Sequence, residues 1–173
     1  MYKEIKTQEE IKEVAKLAHE IWSNHYHLKF SEKDLNDLIN AVQSERAITN
    51  KINDNYVYSF ILDNDNKAGY FAYTINKEKN ELFLCKFYIL KSYRGKGLGR
   101  KTIQYLEDVA KKNKVAKLTL TVYEKNLSSI EIYKSMGFEN LGLIFRKINN
   151  NLTFNDYKMS KFIWKNSLKF EMQ

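Results

Sequence analysis

The spacing of apolar residues predicts two helices at the start of the chain. Thr7-Gln8-Glu9-Glu10 has the spacing of a capping box, and apolar residues then recur with the 3.6-residue period of a helix. A second amphipathic helix is predicted to begin at Ser31. The apolar positions assigned to the inner faces of these helices are Ile11, Val14, Ala15, Ala18, Ile21 and Trp22 in the first, and Leu35, Leu38, Ile39 and Val42 in the second.

From residue 56 onward, segments rich in aromatic and β-branched residues replace the helical period. Tyr56–Leu62 and Ala68–Ile75 flank the turn-forming sequence Asp63–Lys67 and predict a hairpin. A third strand, Glu81–Leu90, follows a second turn at Asn76–Asn80, so we expect an antiparallel meander. The acidic turn is not an EF-hand, because the glycine and the terminal glutamate of that motif are out of place.

The third strand also begins a predicted β-α-β unit. Apolar spacing indicates a helix over residues 99–112, and alternation with a period of two indicates a strand over residues 117–122. Two strands joined by a crossover helix are expected to run parallel, with a right-handed connection.

The remainder of the chain predicts a short helix and a closing hairpin. The helix runs from about Leu127 to Met136, and Gly137 suits the position after its end. The apolar segments 138–148 and 152–163 surround Asn149-Asn150-Asn151 and form the hairpin. Because the chain has no repeat or linker-like stretch, residues 1–173 are predicted to form one α/β domain.

Charge is concentrated in one part of this pattern. The net charge is +8, and between Lys86 and Lys117 ten lysines and arginines accompany only two acidic residues, Glu107 and Asp108. Three of the six glycines lie in the same stretch, within five residues. Glycine and positive charge together predict a site where the backbone approaches a polyanion.

Composition also excludes several classes of protein. Cys85 is the only cysteine, which excludes an internal disulfide and a cysteine-based structural zinc site. No apolar run approaches the roughly 18 residues of a membrane span, since Leu82–Leu90 is interrupted by Lys86. The first residues lack the apolar stretch of a signal peptide, so we expect a cytoplasmic protein without a membrane partner.

The glycine-rich sequence Arg94–Arg100 lies between a predicted strand and a predicted helix, a place that suits phosphate binding. It is not a Walker A loop, because Arg100 separates Gly99 from Lys101-Thr102. A dinucleotide fingerprint starting at Gly95 would need glycine where Arg100 stands. The spacing present is Arg-x-x-Gly-x-Gly, at Arg94, Gly97 and Gly99.

This spacing resembles the pyrophosphate loop of the GNAT superfamily of N-acetyltransferases. Residues 126–138 are similar to its second signature, with Asn126, Tyr133 and Gly137-Phe138 at matching positions. The resemblance covers roughly residues 81–140. It implies a mixed, mostly antiparallel sheet of about six or seven strands with flanking helices, and transfer of an acetyl group from acetyl-CoA to a primary amine in a ternary complex.

The resemblance also implies roles for individual residues. Tyr133 is the catalytic candidate, donating a proton or hydrogen bond to the leaving thiolate, while Asn126 contacts the pantetheine arm. The strand before the loop supplies backbone groups to the pantetheine and the thioester carbonyl. The residues expected to bind the coenzyme are Tyr88, Ile89, Leu90, Arg94, Gly95, Lys96, Gly97, Leu98, Gly99, Arg100, Lys101, Asn126 and Tyr133.

The acceptor site and the general base are less well defined by the sequence. Many relatives carry glutamate where Cys85 stands, so the base is expected to be Glu81, a histidine or a water chain. Cys85 is either a nucleophile or a buried, inert thiol. Relatives often carry asparagine where Tyr123 stands, which leaves one coenzyme or substrate contact open. The residues expected at the acceptor site are Trp22, His25, Tyr26, Glu81 and Cys85.

A weaker resemblance, at Trp22, His25-Tyr26, Gln43-Ser44 and Ile48, suggests the polyamine acetyltransferase-like subgroup. Acidic residues of the first two helices (Glu20, Glu32, Asp34 and Asp37) would then set the local potential. His25 and His27 could bind a metal ion, but two histidines without nearby carboxylates are weak evidence for such a site. No metal is therefore expected.

Two other functions stay open, a catalytically silent acyl-CoA sensor and a basic nucleic-acid-binding module. The second does not explain the glycine spacing, so no nucleic-acid partner is expected. The partner is expected to be a small-molecule or peptide amine, and a homodimer is the commonest assembly.

Overall fold

The structure is a computed structural model that describes residues 1–26, 30–147 and 153–164. His27 and the turn Asn149–Asn151 therefore lie outside the described residues. The helices within the described ranges are α1 (Gln8–Tyr26), α2 (Glu32–Gln43), α3 (Glu45–Asn53), α4 (Leu98–Lys112) and α5 (Leu127–Ser135). The strands are β1 (Tyr2–Glu4), β2 (Val57–Asp63), β3 (Asn66–Asn76), β4 (Glu81–Ile89), β5 (Lys117–Tyr123), β6 (Glu139–Lys147) and β7 (Thr153–Phe162).

The predicted helix starts are confirmed by their capping hydrogen bonds. The backbone N–H of Glu10 donates to Thr7 Oγ1 at 3.2 Å, and the N–H of Thr7 donates to Glu10 Oε2 at 3.0 Å. At α2, the N–H of Asp34 donates to Ser31 Oγ at 3.1 Å. Helix α3 was not predicted, and it begins at its own cap, Ser44, directly after α2 ends.

The strands form one seven-stranded sheet in the order β1-β2-β3-β4-β5-β7-β6. The meander β2-β3-β4 and the hairpin β6-β7 are antiparallel, and β4 pairs with β5 in parallel, as predicted. The short strand β1 was not predicted, and it pairs with β2 at the edge of the sheet. The mixed α/β fold with about six or seven strands is therefore confirmed.

Helices cover both faces of the sheet. Side chains of α1, α2 and α3 pack with Tyr58, Phe60 and Tyr70 on one face, and α4 packs with Leu82 and Leu118 on the other. Each helix buries an apolar stripe against the sheet, which is the usual solution for this class of fold. No helix within the described residues combines the length and the apolar character needed to cross a membrane.

The pairing of β4 with β5 ends part-way along both strands. The parallel register runs from Glu81↔Lys117 to Leu84↔Leu120. On the other side of β4, Ala72 faces Lys86 while Tyr73 faces Leu84, so Cys85 is the extra residue of a β-bulge. A bulge bends its strand and increases its twist. We call the opening between β4 and β5 beyond Leu84 and Leu120 the fork.

Candidate active site at the fork of the sheet

The fork opens into a cavity of about 750 Å³. Its walls come from α1, α2, α3, β4, β5, α5 and β7, so segments that are distant in sequence meet there. Of the residues singled out from the sequence, those lining the cavity are Trp22, His25, Tyr26, Cys85, Tyr88, Ile89, Arg94, Tyr123, Asn126 and Tyr133. Glu81, Leu90 and the stretch from Gly95 to Lys101 do not line it.

The outer half of β4 directs backbone groups toward the fork. The N–H of Leu90 donates to the carbonyl oxygen of Ala68 at 2.9 Å. Because hydrogen-bonded and non-hydrogen-bonded positions alternate in an antiparallel pair, Phe87 and Ile89 point their N–H and C=O groups away from β3. The Ile89 carbonyl accordingly accepts a hydrogen bond from Arg94 Nε at 3.0 Å.

The glycine loop leaves the first turn of α4 without a side-chain cap. Gly95 and Gly97 have φ values of 78° and 77°, a left-handed conformation that favours glycine, and Gly97 is the N-cap residue. By contrast, α1, α2, α3 and α5 begin with side-chain caps at Thr7, Ser31, Ser44 and Asn126, respectively. The first N–H groups of a helix have no partner within the helix, so those of α4 are donors for an anion.

Charge at this helix start also suits an anion. The first turn of α4 contains no acidic residue, and Arg100 and Lys101 lie there although the positive end of the helix dipole disfavours cations. This turn adjoins the fork, since a Cβ built on Gly99 would lie 3.8 Å from side-chain atoms of Phe87 and Ile89. The residues present therefore fit a diphosphate at the mouth of the fork.

The loop side chains differ in what they contact. Lys96 Nζ lies 3.1 Å from Asp63 Oδ2 and 4.8 Å from the ring centroid of Tyr93, so its charge is partly compensated. Leu98 is half-buried and packs on the α4 side of the core. Arg100 and Lys101 are exposed. The two exposed cations of the first turn are therefore better available to a ligand than Lys96.

Tyr133 and Asn126 lie on the same side of the fork. The Tyr133 ring packs edge-on against Phe138 with a centroid distance of 5.6 Å. Burial raises the pKa of the Tyr133 phenol, which keeps the hydroxyl protonated at neutral pH. Asn126 caps α5, because its Oδ1 accepts hydrogen bonds from Ser129 N at 3.4 Å and Ser128 Oγ at 3.3 Å. Asn126 thus has a structural role, and its amide nitrogen is the group left for a ligand.

Aromatic side chains build the end of the cavity nearest α1. Trp22 lies 5.2 Å from Tyr26 and 5.5 Å from Tyr88 between ring centroids. The His25 ring lies 4.6 Å from the Tyr26 ring. The three residues that the sequence assigned to the acceptor from α1 are therefore together at one end of the cavity.

The two remaining acceptor candidates, Cys85 and Glu81, lie far apart. Burial raises the pKa of the Cys85 thiol to about 11, opposed by Lys86 and Lys51, so the thiol is protonated at neutral pH. Glu81 lies four residues earlier on β4, about 13 Å along the strand, where it is 6% exposed and 3.7 Å from Lys158 Nζ. Its position argues against the assignment of Glu81 as an acceptor-binding residue or base.

The cavity is also lined by charged residues that no sequence motif predicted. Lys51 comes from the unpredicted helix α3 and Asp54 is the residue after its end. Lys86 follows the bulge in β4, and Asp156 lies on β7 opposite Tyr123. The available signal for Asp156 was that it is the one acidic residue in the sequence of β7. None of the acidic residues expected to set the potential for a polyamine (Glu20, Glu32, Asp34 and Asp37) lines the cavity.

No metal site accompanies this cavity in the part of the chain that the structure describes. Groups of three or more histidine, cysteine, aspartate or glutamate side chains able to hold an ion are absent from the described ranges.

Comparison with known proteins gives relatives that match part of this chain. The chain is 32% identical over 98 residues to a probable spermine N(1)-acetyltransferase of Bacillus subtilis subsp. natto, covering 56% of this chain and 52% of the relative. It is 33% identical over 72 residues to the thialysine N-epsilon-acetyltransferase of Bos taurus, covering 42% of each. The chain thus spans about half the length of the curated relatives that it matches.

A solved structure with the same fold covers nearly the whole chain. The PaiA N-acetyltransferase of Thermoplasma acidophilum, determined in complex with coenzyme A, has a TM-score of 0.74 and 19% identity over 94% of this chain and 99% of its own. Residues 12–138, which include the fork, the glycine loop and α5, match the acetyltransferase (GNAT) family. The chain therefore belongs to the acetyltransferase (GNAT) family.

Proposed function

We propose that this protein is an acetyl-CoA-dependent N-acetyltransferase that acts on a primary amine of a small molecule or peptide. The observation that carries the proposal is the uncapped first turn of α4 at the mouth of the fork, where a Cβ built on Gly99 would lie 3.8 Å from side-chain atoms of Phe87 and Ile89. Family membership supports the same activity. Donor and acceptor would meet in the fork as a ternary complex.

The donor would be held by backbone groups of two elements. The N–H groups at the start of α4 suit the diphosphate, with Arg100 and Lys101 adding positive charge. The backbone edge of β4 at Phe87 and Ile89 suits the amides of the pantetheine arm, which lie next along the molecule. An N–H near Ile89 is the candidate donor to the thioester carbonyl oxygen.

Acetyl-CoA supplies the acetyl group as a thioester, and a neutral amine attacks its carbonyl carbon. Tyr133 would donate a proton or hydrogen bond to the departing sulfur, because burial keeps its phenol protonated. Tyr133 lines the cavity on the α5 side, so its hydroxyl can serve this role without entering the acceptor end.

The acceptor must lose a proton, since an alkylammonium has a pKa of about 10.4. Cys85 is protonated and Glu81 does not line the cavity, which leaves His25 or a water chain as the route for that proton. The protonated state of Cys85 also disfavours a covalent acetyl-cysteine route.

The names of the relatives suggest two kinds of acceptor. One relative is named for the polyamine spermine and another for the amino acid thialysine. The resemblance at Trp22, His25 and Tyr26 supports a polyamine-like acceptor, and these residues lie together on the wall of the cavity.

Release of the coenzyme A thiol from acetyl-CoA, measured over a panel of polyamines, amino acids, aminoglycosides and peptides, tests the proposal. We expect acceptor-dependent thiol release by the native protein. Coenzyme A binding without release under any acceptor would indicate the silent acyl-CoA sensor. Salt-dependent DNA or RNA binding with no affinity for coenzyme A would indicate the nucleic-acid-binding module.

The expected cytoplasmic location, the homodimer and the lack of nucleic-acid and membrane partners stay predictions. Sedimentation of the purified chain at several concentrations tests the dimer. Retention of the purified chain on immobilised nucleic acid or on anionic vesicles, measured at several salt concentrations, tests whether it binds either partner. We expect no specific retention.

A further inference from the structure

The second and third helices present apolar side chains to the cavity. From α2, the cavity is lined by Leu38, Ala41 and Val42, whose i, i+3, i+4 spacing places them on one face of the helix. Ala47 continues this lining from the first turn of α3. We call these four residues the apolar wall. Leu38 is buried, Val42 and Ala47 are half-buried and Ala41 is exposed, so part of the apolar wall is accessible to a ligand.

Aromatic rings extend the apolar surface of the cavity. Trp22 and Tyr56 line the same cavity, and Trp22 belongs to the same core cluster as Leu38. Lys86 Nζ lies 5.5 Å from the ring centroid of Trp22, and Lys51 Nζ lies 4.4 Å from that of Tyr56. A ring attracts a cation at such a distance. The cation–π contact of each ring is thus made within the protein, and what each ring offers a ligand is apolar surface.

Carboxylates, which a chain of ammonium groups would need, do not belong to the apolar wall. Among the described residues that line the cavity, carboxylates are found at Asp54 and Asp156. Asp54 is exposed at the residue after the end of α3, and Asp156 lies on β7 opposite Tyr123. The side chains that α1 and α2 contribute to the cavity include no carboxylate. A ligand lying against the apolar wall therefore meets hydrocarbon rather than counter-charge.

We propose that the acceptor is a primary monoamine with an apolar body, and that the apolar wall binds this body while the amino group reaches the thioester in the fork. The inference rests on the proposed function and names the substrate class of the same site. Burial of apolar surface is favourable, whereas a second ammonium group against this wall would lose its hydration without gaining a counter-charge. This acceptor departs from the polyamine-like one.

An apolar acceptor site also favours the form of the amine that reacts. Removal from water disfavours the charged ammonium, which lowers the pKa of an amine. The protein shows the same preference for neutral groups at the fork, where burial raises the pKa of the Cys85 thiol to about 11. A buried amine therefore depends less on a general base, at a fork where Cys85 stands in the position at which many relatives carry glutamate.

Matched acceptors test the single charge and the apolar body separately. Hexylamine and 1,6-diaminohexane have the same carbon chain and differ by one ammonium group. We expect kcat/KM for hexylamine to exceed that for the diamine by about tenfold or more. From butylamine through pentylamine to hexylamine, kcat/KM should rise about fourfold per methylene group, the equivalent of about 0.8 kcal/mol for each buried CH₂.

Variants of the apolar wall carry the same test to the protein. Val42→Thr nearly keeps the shape of the side chain and adds a hydroxyl group, so it should reduce the gain per methylene group to about twofold or less. Ala47→Leu fills part of the cavity and should lower kcat/KM for hexylamine more than for butylamine. Val109 is also half-buried but packs on the α4 side of the sheet and does not line the cavity, so Val109→Thr should keep the native series. Circular dichroism and the Kd for coenzyme A check that each variant folds and binds the donor.

A binding measurement separates this inference from the proposed function. Hexylamine and 1,6-diaminohexane are titrated by calorimetry into protein saturated with coenzyme A. A preference for hexylamine that Val42→Thr weakens and Val109→Thr keeps supports the inference even without thiol release, and that result would overturn only the proposed catalysis. Equal or tighter binding of the diamine, unaffected by the variants of the apolar wall, would overturn the inference. Thiol release from acetyl-CoA with the diamine would then leave the proposed function standing.

Discussion

Arg94 Nε donates a hydrogen bond of 3.0 Å to the carbonyl oxygen of Ile89, the last residue of β4. The bond joins the glycine loop to the strand edge that faces the fork. A guanidinium suits this task because its planar, charged N–H groups bond to one acceptor while others remain for a second. One residue therefore fixes the position of the loop relative to the backbone groups expected to hold the pantetheine arm.

This bond predicts the effect of Arg94→Ala. We expect the Kd for coenzyme A to rise about tenfold or more, equal to about 1.4 kcal/mol, since the loop loses its tie to β4. Isothermal titration calorimetry measures the Kd for coenzyme A of the native protein and of the variant. Lys91→Ala, an exposed lysine of the same connection, is the matched control and should bind normally. Equal losses in the two variants would point to general charge rather than to the bond with Ile89.

Two glycines of the loop should respond differently to a single methyl group. Gly97 has a φ of 77°, so Gly97→Ala costs about 1–2 kcal/mol of unfolding free energy and distorts the helix start. Gly99 has room for a Cβ at ordinary contact distance, 3.8 Å, so Gly99→Ala should change the free energy of unfolding by less than about 0.5 kcal/mol. Urea denaturation measures both.

Coenzyme A binding completes this comparison. Gly97→Ala should weaken binding because the first-turn N–H groups change direction, while Gly99→Ala keeps those directions and should weaken binding less. The role assigned to the loop conformation would be contradicted if both alanine variants bound equally well.

Tyr133→Phe removes the hydroxyl and keeps the ring that packs on Phe138. We expect kcat to fall about 100-fold, the usual contribution of a positioned proton donor, with little change in KM for acetyl-CoA. The melting temperature should stay close to that of the native protein. Steady-state kinetics with a productive acceptor measure the effect, and an unchanged kcat would remove Tyr133 from the mechanism.

Cys85 should behave as an inert thiol. Its pKa is raised to about 11 by burial, so alkylation by iodoacetamide at pH 8 should be much slower than that of a small-molecule thiol, and the rate should increase as pH approaches 11. Cys85→Ser should retain turnover. Complete loss of thiol release in that variant, with coenzyme A still bound, would instead support a nucleophilic role.

The same pKa shift predicts how stability depends on pH. The thiol of the unfolded chain ionises near its ordinary pKa of 9.0, whereas in the folded protein it stays protonated to about 11. The unfolded state therefore releases its proton first, and the free energy of unfolding should fall as pH rises from 9 to 11. Urea denaturation at several pH values measures this slope, which should be smaller in Cys85→Ser.

Most helices and strands could be predicted from the sequence because the interactions that start and end them are made between neighbouring residues. The Thr7–Glu10 capping box, the Ser31 cap and the glycine after α5 each act within one helical turn. The elements that were missed carry weak local signals. β1 is three residues long and is stabilised by pairing with β2, and α3 is nine residues long and begins immediately after α2.

The candidate site was predicted only in the parts that have a fixed spacing. The loop from Arg94 to Gly99 and the pair Asn126 and Tyr133 each lie within a short stretch, so their residue types and intervals are visible in the sequence. Lys51, Lys86 and Asp156 were not selected, because an isolated charged residue in a helix or strand is usually solvated. Glu81 was selected by its residue type, and its position at the far end of β4 argues against a role.

The sequence by itself determined the α/β class, the β-α-β unit, the glycine loop before α4 and the family resemblance, because these depend on periodicity and spacing over a few residues. The tertiary structure alone decided where β4 and β5 separate, how large the resulting cavity is, and which charged residues line it. Those features depend on how α1, α3, β4 and β7 pack against one another. The first and last of these segments are more than a hundred residues apart in the sequence. Contacts of that kind leave no fixed interval in the sequence.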